Sequence, residues 1–122
     1  IISNEAPAAI GPYSHAILTD NIAFLSGQIP LDPSTGKLVE GGIEEQTVQV
    51  LKNISAILNT AGLTFDNVIK TTVFLSDLAN FKTVNEIYGK YFTSDCPARS
   101  CVQVAALPMG SLVEIEVICA RE

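Results

Sequence analysis

The chain has 122 residues, enough for one domain (1–122) with a core and too few for two. Thirteen acidic against seven basic residues give a formal charge of −6 with no clustered Lys or Arg, so nucleic acid is not an expected partner, because phosphate backbones are gripped by concentrated positive charge. Charged residues make up 16%, against roughly 25% in an ordinary soluble domain, and mean hydropathy is +0.34, yet no apolar run approaches the roughly 20 residues of a membrane helix.

A monomer of this composition would struggle to cover itself with polar groups, so a homo-oligomer whose interface hides part of the surface is expected. Cys96, Cys101 and Cys119 are odd in number and show no CxxC spacing, which suggests neither a disulfide framework nor a zinc site. A reducing compartment, the cytoplasm, is expected, with an organelle as the alternative. No signal peptide is visible in a sequence that opens at Ile1.

In chain order, Ile1 to Ser3 reads as a short edge strand, and Pro7, Gly11 and Pro12 make the following stretch a loop that delivers Tyr13, Ser14 and His15. Ser14 to Thr19 and Ile22 to Gly27 read as a hairpin turning at Asp20-Asn21. His15 is the only histidine, and its expected role is a polar side chain at a strand start. Gly27 ends the second strand, as a bulge or a close approach of backbone to a ligand. Asp32 to Gly36 is a surface turn.

From Ile43 to Ala61 the period becomes helical: Val50, Leu51, Ile54, Ile57, Leu58 and Ala61 share one face, Glu44 and Glu45 suit the helix N-terminus, and Gly62 suits its stop. Val68 to Ser76 is a strand that alternates Lys70, Thr72, Phe74 and Ser76 with Ile69, Thr71, Val73 and Leu75. A second helix runs from Asn80, its N-cap, to Phe92, with Asn85 inside the stripe of Phe81, Val84, Tyr88 and Phe92.

Pro97 to Glu116 begins the last pair of strands, with a turn at Leu107 to Ser111 and antiparallel pairing as the natural expectation. Arg99, Cys101 and Gln103 share a face of the first strand, and Glu114, Glu116 and Ile118 a face of the second. Two readings of Arg99 stand side by side. It neutralises Glu114 or Glu116 as a buried ion pair, or its planar fork grips a ligand carboxylate. The total is about six strands and two helices, the helices covering one sheet face and a second copy of the chain the other.

Several of these stretches together resemble the reactive-intermediate deaminase (RidA or YjgF) family across nearly the whole chain. They are AIGPYS at Ala9 to Ser14, SGQIPLDPSTG at Ser26 to Gly36, KTTVFLSDL at Lys70 to Leu78, FKTVNEIY at Phe81 to Tyr88, PARS at Pro97 to Ser100, and VEIE at Val113 to Glu116.

The resemblance implies a chorismate-mutase-like α+β subunit with a mostly antiparallel sheet, assembled as a homotrimer with clefts between subunits. It implies hydrolysis of 2-imino acids, tautomers of the 2-enamino acids released by pyridoxal-phosphate dehydratases, to 2-keto acids and ammonium, without a metal or cofactor. By resemblance Arg99 clamps the substrate carboxylate, Glu114 is associated with the attacking water and Tyr13 assists or shapes the wall. Asn85, Cys101, Ser26, Gly27 and Phe74 complete the pocket.

The chain departs from the family pattern at His15 and Met109, which bear on rim charge and substrate preference. Members of the family have also been described as an endoribonuclease (L-PSP) and translation inhibitor, and a non-enzymatic carboxylate-binding or chaperone-like trimer is a third reading. The lack of a histidine pair and of a basic track speaks against RNA cleavage.

Overall fold

Positive φ at Asp20 (48°) closes a hairpin between β1 (Ala16–Thr19) and β2 (Ile22–Gln28), which pair antiparallel from Ala16↔Leu25 to Thr19↔Ile22. The computed structural model describes residues 1–121 of the chain. Helix α1 (Ile43–Thr60) begins with Glu45 turned back to accept the Gly42 amide at 3.2 Å. It ends where Gly62 takes φ of +74°, the Gly62 and Leu63 amides reaching back to the carbonyls of Asn59 (3.1 Å) and Leu58 (2.8 Å). Leu51, Ile54, Ile57 and Leu58 of its inner face are buried, and each contributes about 2 kcal/mol by leaving water.

Strand β3 (Val68–Leu75) follows, then helix α2 (Phe81–Tyr88), shorter than the periodicity predicts. Asn80 stands at the N-cap position but makes no side-chain cap. The capping role falls to Asp77, whose Oδ1 accepts the Ala79 amide at 2.9 Å over a 3-10 turn at Leu78–Asn80. Past Gly89 the chain tightens into turns that still carry Phe92 into the core, its ring 4.4 Å from that of Tyr88.

Strands β4 (Ala98–Gln103) and β5 (Val113–Ala120) complete a five-stranded sheet ordered β1-β2-β5-β3-β4. The expected hairpin between β4 and β5 does not form. Instead β4 lies parallel to β3, because the crossover through α2 returns the chain in the same direction, and β5 inserts antiparallel between β2 and β3. Side-chain character explains the choice. Val113, Ile115, Val117 and Cys119 of β5 are fully buried and belong at the centre, whereas Arg99, Ser100 and Gln103 of β4 are exposed and suit an edge.

Among the described residues five strands stand where six were expected. Residues 1–3 form no strand, although Ile1 exchanges backbone hydrogen bonds with Ala16 (2.9 and 3.3 Å). A bulge between Val68 and Lys70 turns Ile69 outward with Lys70, against the strict alternation predicted for it.

The helices cover one face of the sheet, and the core lies between them: Val73 and Leu75 of β3, the inner row of β5, and Val84, Ile87 and Tyr88 of α2. The opposite, open face presents Phe24 (47% exposed) and Val102 (44%) beside Thr72, Phe74 and Glu116. Among the described residues no helix is long and apolar enough to cross a membrane.

Candidate active site

Strand alternation turns Arg99 and Cys101 of β4 to the helix side, since they pair with the buried Thr71 and Val73. There α2 offers Phe81, Asn85 and Tyr88 at i, i+4 and i+7, one stripe of the helix. Arg99 Nη1 donates to Asn85 Oδ1 at 2.8 Å, and the guanidinium carbon lies 4.8 Å from the Tyr88 ring centre and 5.4 Å from that of Phe81. Tyr88 is fixed in turn by a 2.8 Å hydrogen bond with Thr71, and burial raises the pKa of its hydroxyl while the Thr71 hydrogen bond and Arg99 oppose the rise.

The arginine is exposed, and its hydrogen bond goes to an amide rather than a carboxylate, so the buried ion pair is not what β4 builds. Asn85 is likewise exposed on its helix, holding the guanidinium rather than neighbouring backbone. Cys101 is half-buried. Burial pushes its thiol pKa up while Arg99 pulls the other way, so the group stays a thiol and is a poor nucleophile.

Glu114 turns to the open face of the sheet, its register partner on β3 being Phe74. It lies against the end of β2, where the pairing slips between Leu25 and Gln28. Here the glycine leaves room for the carboxylate. A Cβ on Gly27 would overlap Glu114 Oε2 and come within 3.0 and 3.2 Å of its Cδ and Cγ.

Ser26 is locked beside it, its hydroxyl donating to the Ser14 carbonyl at 2.6 Å and its amide to the His15 carbonyl at 2.9 Å. Glu114, Gly27 and Ser26 form one side of a cleft of about 310 Å³, and Ile10, Tyr13, Ile29 and Pro108 form the rest. Burial, reinforced by the like charge of Glu116, raises the Glu114 pKa above the ordinary carboxylate range.

Two buried polar side chains of α1 hold the walls. Asn53 Nδ2 donates to the carbonyls of Ile29 (3.3 Å) and Leu31 (2.9 Å), and Gln46 Oε1 accepts the Leu112 amide at 2.8 Å beyond the Pro108 turn. That turn depends on positive φ at Met109 (58°) and Gly110 (70°).

The expected site residues therefore fall into two groups rather than one. Arg99, Asn85 and Cys101 lie on the helix side, whereas Glu114, Gly27, Ser26, Tyr13 and Phe74 lie at or beside the open face. Arg99 pairs with Thr71 and Glu114 with Phe74 on opposite sides of β3. Two strand spacings and three residues of rise separate their backbones by roughly 14 Å, with the sheet between the side chains.

Phe81 and Tyr88 as the bed of the arginine, and Asn53 and Gln46 as wall holders, were not expected. The signal for the first pair was their helical spacing around Asn85. For the second it was two polar residues on the stripe of Val50 and Ile57. A larger groove, about 550 Å³, runs between α1 and α2 past Lys52, Glu86 and Lys90, apart from both groups.

A five-stranded mixed sheet with two helices on one face, a cradled arginine on its edge strand and a carboxylate seated on a glycine across the sheet, defines a class of small α+β proteins with their polar site divided between the two faces. Residues 3–121 match the family model described as endoribonuclease L-PSP, and the chain belongs to that family, the RidA/YjgF family of its motifs.

It is similar to the human 2-iminobutanoate/2-iminopropanoate deaminase, 56% identical over 99% of this chain and 88% of that one. The RidA structure from the Antarctic bacterium Psychrobacter superposes with a TM-score of 0.96 at 44% identity, covering 99% of this chain and 98% of that one. The structure of Escherichia coli TdcF with bound serine superposes with a TM-score of 0.93 at 42% identity, covering 100% and 99%.

Proposed function

We infer that this chain is a deaminase that hydrolyses 2-imino acids, such as 2-iminopropanoate and 2-iminobutanoate, to 2-keto acids and ammonium. Relatives at 52–56% identity over nearly the full chain carry that activity in their names. The observation that carries the reading is the pair of half-sites: a cradled guanidinium with donors to spare, and a half-buried carboxylate of raised pKa in a separate cleft. The first suits a two-oxygen anion and the second a water molecule.

In one chain these halves cannot meet. We propose a homotrimer in which the open apolar face of each subunit is covered by the next, bringing Arg99 of one subunit to the Glu114 cleft of its neighbour. Arg99 then holds the substrate carboxylate, with Asn85, Phe81 and Tyr88 keeping its fork in place. Cys101, Ser26, Gly27 and Phe74 line the remainder. TdcF, a relative of this chain, binds serine in its crystal structure, and serine carries a carboxylate of the kind this reading requires.

Chemistry follows from the substrate. A protonated imine carbon is already electrophilic, so no covalent nucleophile is needed. Glu114 takes a proton from water as the oxygen bonds to carbon and the C=N electron pair withdraws to nitrogen. The same carboxyl then gives that proton to the amine and takes the hydroxyl proton as the C–N bond breaks and C=O forms; the ammonia released takes up this last proton and leaves as ammonium beside the keto acid. Tyr13 stands on the cleft wall and is assigned to proton movement or substrate positioning there.

A ribonuclease reading has less to work with: His15 is buried with both ring nitrogens hydrogen-bonded, so it is not free for acid–base cleavage of RNA. The cytoplasmic location expected from cysteine usage belongs to this proposal, and cell fractionation checks it.

Imine generated in situ from serine or threonine by a dehydratase provides the test, with keto-acid release as the readout. Arg99→Ala and Glu114→Gln are each expected to lose all but about a hundredth of the activity or less. Refolded together at equal amounts they form mixed trimers in which about one site in four draws an intact Arg99 from one subunit and an intact Glu114 from the next, so activity returns towards about a quarter of wild type. No recovery on mixing would show that both groups act from one chain, and a monomer in solution would remove the site altogether.

A further inference from the structure

His15 is only 2% exposed, and both of its ring nitrogens are engaged. Nδ1 lies 2.8 Å from the Ser3 amide, which can only donate, and Nε2 lies 2.8 Å from the Pro7 carbonyl, which can only accept. The partners therefore dictate a neutral ring with its proton on Nε2. The bonds fold residues 3–7 back across the start of β1. Ser3 extends the staple to α1, its hydroxyl oxygen accepting from Thr60 Oγ1 at 2.8 Å. The His15 and Ser14 carbonyls carry it to β2 through the amide and hydroxyl of Ser26.

What hangs from this staple is the wall of the Glu114 cleft. Residues 8–13 run between two fixed ends, Pro7 and Ser14. Their internal ties are two hydrogen bonds, the Tyr13 amide donating to the Gly11 carbonyl at 2.9 Å and the Ile10 amide donating to the Tyr13 hydroxyl oxygen at a long 3.4 Å. Ile10 (62% exposed) and Tyr13 (43%) have little packing of their own. Apart from the burial of Ala6 and Pro7, the His15 bond to the Pro7 carbonyl is what fixes the near end of this loop.

We propose that His15 is a positioning residue for imine hydrolysis: its neutral imidazole pins Pro7, and through Pro7 the loop that sets Ile10 and Tyr13 beside Glu114. The proposal rests on the hydrolytic reading of that cleft. His15 is buried away from the cleft lining and acts through the loop. Glutamine is the informative replacement, since its carboxamide also presents an acceptor and a donor side by side, whereas leucine fills volume with neither.

The experiment compares wild type, His15→Gln and His15→Leu, each with Tyr13 intact and as Tyr13→Phe, by steady-state imine hydrolysis and by hydrogen exchange over residues 3–13. Expected for His15→Leu is a kcat about tenfold lower, as for a misplaced active-site wall, with KM within about twofold because the carboxylate is held by the other half-site. Exchange over residues 3–13 quickens in the same variant. His15→Gln stays within about twofold of wild type in both measurements. The loss caused by His15→Leu shrinks in the Tyr13→Phe background, since the two act through one wall.

Wild-type kcat and exchange in His15→Leu would overturn the proposal, as would a fall in His15→Gln as deep as in His15→Leu, or an equal loss with and without the Tyr13 hydroxyl. Should the leucine variant not fold, His15→Asn, whose shorter side chain cannot span both partners, takes its place in every comparison. A wild type that hydrolyses no imine would sink the activity reading instead, while the exchange data still judge the staple.

Discussion

The two half-sites are held by opposite means. The arginine sits on an exposed edge strand and is positioned by side chains alone: an amide at 2.8 Å and two aromatic faces, all from one stripe of α2. The glutamate sits on the central strand and is positioned by backbone: a missing Cβ at Gly27, a slipped register at the end of β2, and a serine locked to neighbouring carbonyls. The two means suit the proposed roles: a guanidinium proposed to wrap an anion gains from a cradle that leaves its outer donors free, and a carboxylate proposed to place a water gains from a rigid seat, where burial and Glu116 raise its proton affinity.

The contrast breaks most sharply at Glu114. Glu114→Gln keeps the shape and removes the base, so kcat is expected to fall by about 10²–10⁴-fold with little change in the binding of a stable keto acid. Unchanged turnover in the coupled assay would take the glutamate out of the mechanism. Next comes Arg99→Ala, expected to lower kcat/KM on the order of a hundredfold while leaving the assembly intact by size-exclusion chromatography.

The acid side of the pH–rate profile joins the two halves. Burial and Glu116 raise the Glu114 pKa, and in the proposed trimer the neighbouring subunit's guanidinium would oppose that rise, so the residual activity of Arg99→Ala is expected to fall away on the acid side at a higher pH than wild type. The linked stability effect has a definite sign. A carboxyl whose folded pKa is raised binds its proton more tightly in the folded state, so its contribution worsens as pH rises from the unfolded through the folded pKa. In the Arg99→Ala background, adding Glu114→Gln is therefore expected to raise Tm at neutral pH, with the gain vanishing below the carboxylate range. A Tm that falls instead would mean that the charged carboxylate is stabilised where it sits.

Gly27→Ala sharpens the comparison from the backbone side. The added methyl must displace a flexible carboxylate end rather than main chain, so the fold survives while kcat drops about tenfold or more, a loss of the size that small misplacements cause. Circular dichroism alongside kinetics separates this from unfolding. The smallest effect belongs to the side-chain cradle. Asn85→Ala removes one of the three supports of Arg99 and is expected to raise KM a few-fold, with kcat nearly unchanged.

Much of this was visible in the residues taken in order. The 3.6-residue period of α1, the alternation of β3 and β5, and the stop at Gly62 are local properties, set by which side chains can share a face and where a positive φ is tolerated. The candidate site residues were likewise named together from long family motifs, and the structure divides them between the two faces of the sheet. What could not be read along the chain was adjacency. The segment after Gln103 looked like a returning hairpin, and nothing local distinguishes a strand that folds back on β4 from one that inserts between β2 and β3. Burial decided it, and by deciding it placed Arg99 and Glu114 on opposite faces.

The amino-acid order by itself determined the elements, their inward faces and the chemical groups available, since these follow from backbone sterics and the spacing of apolar residues. Only the tertiary structure decided which strand took the centre, that Gly27 yields its side-chain space to a carboxylate, and that Arg99 and Glu114 face away from each other. Those outcomes depend on which surfaces exclude water from one another, a property of the packed whole that no single stretch contains.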